Sequence, residues 1–305
     1  MTNWSKVSIS IKKLRDNPLD AEQEEKSYLD KETNILKQHI NFLIPKRIDN
    51  FSKPSLAVIR EQGVNGHTEM AAAFSTAGFE VTDIHMNDLL SQKFNLKDFQ
   101  GIIFPGGFSF GDVLGAGKGW ANFILNNSLL KNQFEEFFSK KECFSLGVCN
   151  GCQVLSNLKE IIPGTDNWPK LKNNSSGQFE ARLTQIKIFK SNSLLFDDME
   201  NSQLLVPVAH GEGKMIFSHP EKVSKNNQLV MSYVDTAGNE TESYPGNPNG
   251  SEKGITGICS EDGKVTIMMP HPERAFLNAQ LSWTDLGDEG FSPWIKMFHN
   301  ARKYF

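Results

Sequence analysis

From Ser55 onward, short apolar runs alternate with helical patterns, and glycines stand at most of the junctions. That rhythm restricts the chain to few architectures. Leu56-Ala-Val-Ile comes first, then Gly63 and Gly66, then a helical stretch from Glu69 that ends at Gly78. Phe79–Ile84 predicts a second strand. Gly101–Phe104 predicts a third, followed by a glycine-rich loop and a helix from about Trp120 to Leu130. Phe144–Val148 predicts a fourth, followed by a helix from about Asn150 to Leu158. Alternation of this kind builds an α/β fold: a mostly parallel sheet with helices on both faces and its ligand site at the carboxyl ends of the strands.

The second half is richer in β structure. Phe179–Phe189, Lys214–Phe217 and Leu229–Val234 read as strands, and Glu261-Asp-Gly-Lys marks a hairpin between Ile255–Cys259 and Val265–Met269. Pro293 stands at a plausible first helical position, with Trp294, Met297, Phe298 and Ala301 on one face behind it. Residues 1–53 differ from the rest. Asp20 reads as the N-cap of a charged helix, continued by an apolar stripe of Ile35, Leu36, His39, Ile40 and Leu43 until Pro45 and Pro54 break it. Too little there can form a core, so the segment reads as a connecting arm and residues 54–305 as the folded unit. Neither repeats nor low-complexity tracts occur.

Composition narrows the function. In 305 residues, 32 Lys and Arg against 36 Asp and Glu leave a formal charge of −4, which offers no phosphate-neutralising surface and argues against nucleic acid as a partner. No apolar run nears the ~18 residues of a membrane-spanning helix, and the first residues lack the apolar core of a signal peptide. Cys143, Cys149, Cys152 and Cys259 are too few for a disulfide scaffold. These features predict a cytoplasmic protein that does not associate with membranes, in which a thiol is free to do chemistry.

The sharpest local signal is Gly147-Val-Cys149-Asn-Gly151, between an apolar strand and a helix. Small residues two positions either side of a nucleophile permit the sharp turn that exposes its side chain. A helix N-terminus also favours thiolate through its free amides and dipole. Cys149 and Cys152 can instead be read as a redox pair, as half of a zinc site, or as inert buried thiols. Against zinc, Cys143 and Cys259 make no second pair and no histidine lies at close spacing, so no metal site is predicted.

A cysteine nucleophile needs a base. His271 follows the apolar run 265–269, and Glu273 can share its face if Pro272 keeps the backbone extended, which would orient the imidazole. A solvated His-Pro turn is the plainer alternative. His210, within Ala-His-Gly-Glu-Gly, is the rival base, although its surroundings look more like a substrate-lining loop. Pro105-Gly106-Gly107 lies directly after a strand. Alone it could be a tight turn or a phosphate cradle. Beside a cysteine elbow, the N–H groups of Gly107 and Asn150 become candidates for an oxyanion hole, each such donor contributing about 3 kcal/mol to the barrier.

The set Pro-Gly-Gly, Gly-Val-Cys-Asn-Gly-Cys-Gln and Pro-His-Pro-Glu, in that order, resembles the class I, triad-type glutamine amidotransferases over about residues 55–275. More narrowly, the segments 60–67, 106–117, 179–182, 210–213, 247–251 and 269–274 resemble the glutaminase domain of large-form phosphoribosylformylglycinamidine synthases. The resemblance implies a flavodoxin-like fold, glutamine as substrate, and a Cys149–His271–Glu273 triad. Gly107 and Asn150 would then form the oxyanion hole, with Gln153 and His210 on the glutamine backbone groups. It implies that residues 1–53 are a linker or remnant of an upstream synthetase, the partner that would bind ATP and Mg2+, while this chain needs no cofactor. A cysteine hydrolase or stress protein of similar sheet architecture, and a non-catalytic binding module, remain the other readings.

Overall fold

A computed structural model describes residues 3–29, 36–46, 53–284, 286–287 and 289–305. Its eleven strands are β1 (Ser55–Arg60), β2 (Glu80–His85), β3 (Gly101–Phe104), β4 (Phe144–Val148), β5 (Lys170–Lys172), β6 (Glu180–Ile188), β7 (Gln203–His210), β8 (Lys214–Ile216), β9 (Leu229–Tyr233), β10 (Ile255–Cys259) and β11 (Val265–Met268). The helices are α1 (Asn3–Arg15), α2 (Pro18–Leu29), α3 (His67–Thr76), α4 (Met86–Leu90), α5 (Lys118–Leu125), α6 (Ser128–Phe138), α7 (Asn150–Asn157), α8 (Pro220–Lys225) and α9 (Ile295–Lys303). Among the described residues no helix is long and apolar enough to cross a membrane.

Nine strands form one sheet in the order β2-β1-β3-β4-β11-β10-β9-β6-β7, and β5 pairs with β8 separately. The first five are parallel and the rest antiparallel. Chain order turns back at β1, so right-handed crossovers send α3 to one face and α5–α6 to the other. α3 packs with α9, and α5 with α6 and α7. On the α3 face, Phe74 stands edge-on to Phe298 with ring centres 5.0 Å apart. Register matters most for function. Phe104 pairs with Gly147, and Val148 with Met268, so the loops leaving β3, β4 and β11 emerge side by side.

Several local expectations need correction. The helix foreseen from Trp120 to Leu130 is two helices, because the Asn127 side chain accepts the Leu130 N–H at 3.1 Å and starts a new one. Asp20 lies in the first turn of α2 and is not its cap. Pro18 opens the helix, and Asn17 Oδ1 takes the Leu19 N–H at 3.0 Å. The stripe from Leu36 to Leu43 is not helical and has no regular structure apart from an isolated bridge at His39; Ile35 lies outside the described residues. His39 exchanges both backbone hydrogen bonds with Gln203 (2.8 and 2.7 Å), which covers the outer edge of β7. α9 begins at Ile295, two residues after Pro293, with Trp294, Met297, Phe298 and Ala301 fully buried as expected.

Candidate active site

Cys149 sits between β4 and α7 with φ 52° and ψ −107°, a conformation that a side-chain-bearing residue rarely adopts. Its flanking glycines are sterically required. A methyl on Gly151 would lie 1.8 Å from the Phe104 carbonyl oxygen, and one on Gly147 would lie 2.6 Å from that of Gly151. The elbow can therefore form only because both positions lack a Cβ.

His271 lies beyond the end of β11. Its Nδ1 is 2.6 Å from Glu273 Oε1, and both side chains are buried. The link comes from a 3-10 turn over Pro272–Arg274 that follows His271 (φ −106°, ψ 85°); the continuous extended backbone foreseen from Pro272 is not what joins them. Gly106 packs against both imidazole and thiol. A methyl built there would lie 2.7 Å from His271 Cε1 and 3.5 Å from Cys149 Cβ. Cys149 Sγ donates to the Ala209 carbonyl at 3.4 Å. His271 Nε2 makes no hydrogen bond of normal geometry among the described residues, but the Cys149 sulfur is near enough to act on the ring. Burial works against the imidazolium, but the Glu273 carboxylate and the Cys149 sulfur outweigh it and carry His271 up to about 10.

The loop after β3 packs on the strand-to-loop turn after β1. Phe108 N–H donates to Gly63 (2.8 Å) and Asn65 N–H to Gly106 (3.3 Å), either side of the Val64–Gly107 bridge. Gly107 N–H is thus left out of the ladder, and neither it nor Asn150 N–H has a protein acceptor among the described residues. The Asn150 side chain ties the loop to α7: Oδ1 accepts from Ser109 N–H (3.3 Å), and Nδ2 donates to Gln153 Oε1 (3.0 Å) and Asp112 Oδ1 (3.4 Å).

Gln153 and His210 are placed differently from each other. Gln153 is buried, and its amide is already engaged, with Nε2 donating to the Glu212 carbonyl at 2.7 Å. His210 ends β7 instead of lying in a loop, and its Nε2 has no partner among the described residues. Burial first, then the charge of His271, pushes its pKa down to about 3, so it is neutral and cannot be the carboxylate-paired base. Sequence reasoning passed over Asn174, which holds His210, and Asp112. Burial and the neighbouring Glu212 charge raise the Asp112 carboxyl to about 6. No motif marks Asn174, and Asp112, though inside the 106–117 segment, is given no role by it, because each acts through partners distant in sequence. Among the described residues no cluster of His, Cys, Asp and Glu could hold a metal ion. The four cysteines are free.

A thiol at a strained turn, a carboxylate-paired imidazole and two unpartnered amides are the groups that a nucleophilic acyl transfer requires. The chain belongs to the CobB/CobQ-like glutamine amidotransferase domain family, whose model matches residues 53–305, and it is an enzyme of that class. Among solved structures it is similar to that of PurLQS from Thermotoga maritima, with 26% identity, coverage of 83% of this chain and 99% of that one, and a TM-score of 0.63. It is also similar, in fold alone, to a GMP synthase component from Thermoplasma acidophilum (12% identity, 84% and 95% coverage, TM-score 0.50). The mostly parallel α/β architecture expected from the sequence is the one observed.

Proposed function

We propose that this glutamine amidotransferase hydrolyses free glutamine through a thioester on Cys149. The ammonia then passes to an ATP-dependent synthetase that converts formylglycinamide ribonucleotide to formylglycinamidine ribonucleotide in purine synthesis. The observation that carries the reading is the meeting of a strained cysteine with a carboxylate-paired histidine beside Gly106. Likeness to PurLQS along nearly all of that chain supports the purine assignment and the synthetase partner. Family membership does not favour a cysteine hydrolase or stress protein.

In this mechanism the Cys149 thiol passes its proton to His271, the sulfur attacks the side-chain carbonyl of glutamine, and the charge on its oxygen is held by Gly107 and Asn150 N–H groups. His271 delivers its proton to the departing nitrogen, since an amide anion is too basic to leave. Glu273 keeps the imidazole on the Nδ1–H tautomer and stabilises its cation. Water, deprotonated by His271, then attacks the thioester, releasing glutamate and restoring the thiol. This half-reaction needs no cofactor. ATP and Mg2+ act in the synthetase, which activates the formamide oxygen. The neutral Nε2 of His210 is suited to accept a hydrogen bond from a glutamine backbone donor. Gln153 contributes by holding Asn150 and the Glu212 loop. Four free thiols fit a reducing cytoplasm.

The test is labelling with 6-diazo-5-oxo-norleucine, a glutamine-like electrophile, followed by peptide mapping. A single adduct on Cys149, together with loss of glutamate release in a folded Cys149→Ser variant, is expected. An adduct on another cysteine, no adduct, or full turnover by Cys149→Ser would remove Cys149 from the chemistry.

A further inference from the structure

Asn174 commits its entire side chain to the neighbourhood of His210. Its Nδ2 donates to the carbonyls of His210 (2.7 Å) and Gln178 (2.9 Å). Its Oδ1 meets His210 Nδ1 at 3.1 Å and accepts the Gly213 N–H at 3.0 Å. Because Nδ2 faces two carbonyls, Oδ1 can only accept. The His210 proton is therefore on Nδ1, and Nε2 is a bare acceptor. The loop that Asn174 also fixes through Gly213 carries Glu212, whose carbonyl receives Gln153 and whose Oε2 accepts the Ala116 N–H at 3.3 Å.

The two residues after Asn174 are gripped from the far end of the chain. Where α1 turns into α2, Asn17 N–H donates to the Ser176 carbonyl (3.4 Å) and Asn17 Nδ2 to that of Ser175 (3.0 Å). Asp20 Oδ2 accepts from Ser175 Oγ at 3.0 Å, and Asp20 is only 9% exposed. Gln23 Oε1 takes the Tyr244 N–H at 2.7 Å. The hairpin itself is joined by Lys12–Glu24 and Lys13–Glu25 pairs; the second is solvent-facing and lies outside these contacts.

We propose that the α1–α2 hairpin is a positioning element of the glutamine site. By clamping Ser175 and Ser176 through Asn17 and Asp20, it fixes Asn174, which sets the tautomer and orientation of His210 and the height of the Gly211–Gly213 loop. The proposal rests on the functional reading only for the part about glutamine affinity. Anything that pulls on the hairpin alters that affinity without touching Cys149.

Two readouts on the 305-residue chain test it. One is the imidazole nitrogen–proton correlation spectrum of His210; the other is KM and kcat for glutamate release. Asn17→Ala and Asp20→Ala should shift the His210 signal away from a pure Nδ1–H tautomer. They should also raise KM about fivefold, the equivalent of one net hydrogen bond, with kcat changed by less than about twofold. Asp20→Asn, which keeps an acceptor, should restore both. Lys13→Ala should change neither, although it loosens the same hairpin. An unmoved His210 signal, an unmoved KM, failure of Asp20→Asn to rescue, or an equal effect from Lys13→Ala would overturn the proposal. Wild-type protein that releases no glutamate would refute the functional reading alone, and the His210 signal would still decide the coupling.

Discussion

Gly151→Ala tests how much of the chemistry depends on the geometry of the elbow. The added methyl would meet the Phe104 carbonyl oxygen at 1.8 Å and its carbon at 2.4 Å. Both atoms are backbone of the last residue of β3, so no rotamer relieves the clash. A carbon needs about 3 Å there, so α7 and β3 must separate by roughly 1 Å. α7 carries the Asn150 amide and starts at Cys149, whereas β3 leads into the Gly106–Gly107 loop. The separation therefore moves the attacking sulfur and one oxyanion donor relative to the other. Misplacement of that size costs about a hundredfold in rate, and overpacking costs about 1–3 kcal/mol in stability. The assay is kcat/KM for glutamate release beside a thermal melt. The control is Gly287→Ala, where φ is +81° and, among the described residues, nothing lies within 4 Å of the new methyl. It should lose only about 1 kcal/mol of stability, from backbone strain, and no activity. If Gly151→Ala kept activity within about threefold of wild type and melted like it, the steric requirement for glycine at the elbow would be refuted.

Two further predictions concern charge. Glu273→Gln removes the carboxylate that carries His271 to about 10 against burial, so glutaminase activity should fall by about 10²-fold or more, with the imidazole titrating lower. His271 is raised in the folded state, so its stabilisation is full below 6.5 and lost as pH rises from there to about 10. The wild-type melting temperature should decline across that window more than that of Glu273→Gln, and parallel declines would contradict the pairing. Asp112 is raised instead by burial and Glu212, so its ionisation opposes folding as pH climbs from 3.8 to about 6. Asp112→Asn should therefore stabilise the protein above that window, by roughly 1 kcal/mol once the half-exposed position is discounted for solvent screening, and not below it. An equal gain at both ends, read by melting at each pH, would rule out this origin.

The elements that could be read from the chain are those whose cause is local. β1, β3 and β4 are short apolar runs with a glycine two or three residues beyond their carboxyl ends, and the hairpin before β11 is announced by its turn residues. Cys149, His271 and Glu273 stood out because each sits at a junction where short-range backbone geometry limits the residue types. The break between α5 and α6 was missed because one capping side chain, Asn127, outweighs a continuous helical pattern. Leu36–Leu43 was misread as helix because its apolar spacing says nothing about the free edge of β7, more than 150 residues later, that recruits it.

What the linear order of residues determined by itself is the alternating strand–helix plan and the tight bend at Cys149, both products of steric limits acting over a few neighbours. The tertiary structure alone decided that thiol and imidazole meet beside Gly106, that His210 stays neutral, and that the first helices hold the loop beside it. Those outcomes depend on burial and on hydrogen bonds between groups brought together only by the register of β3, β4 and β11 and the packing around them. The free energy of such contacts belongs to the pair in place, and neither member carries it along the chain.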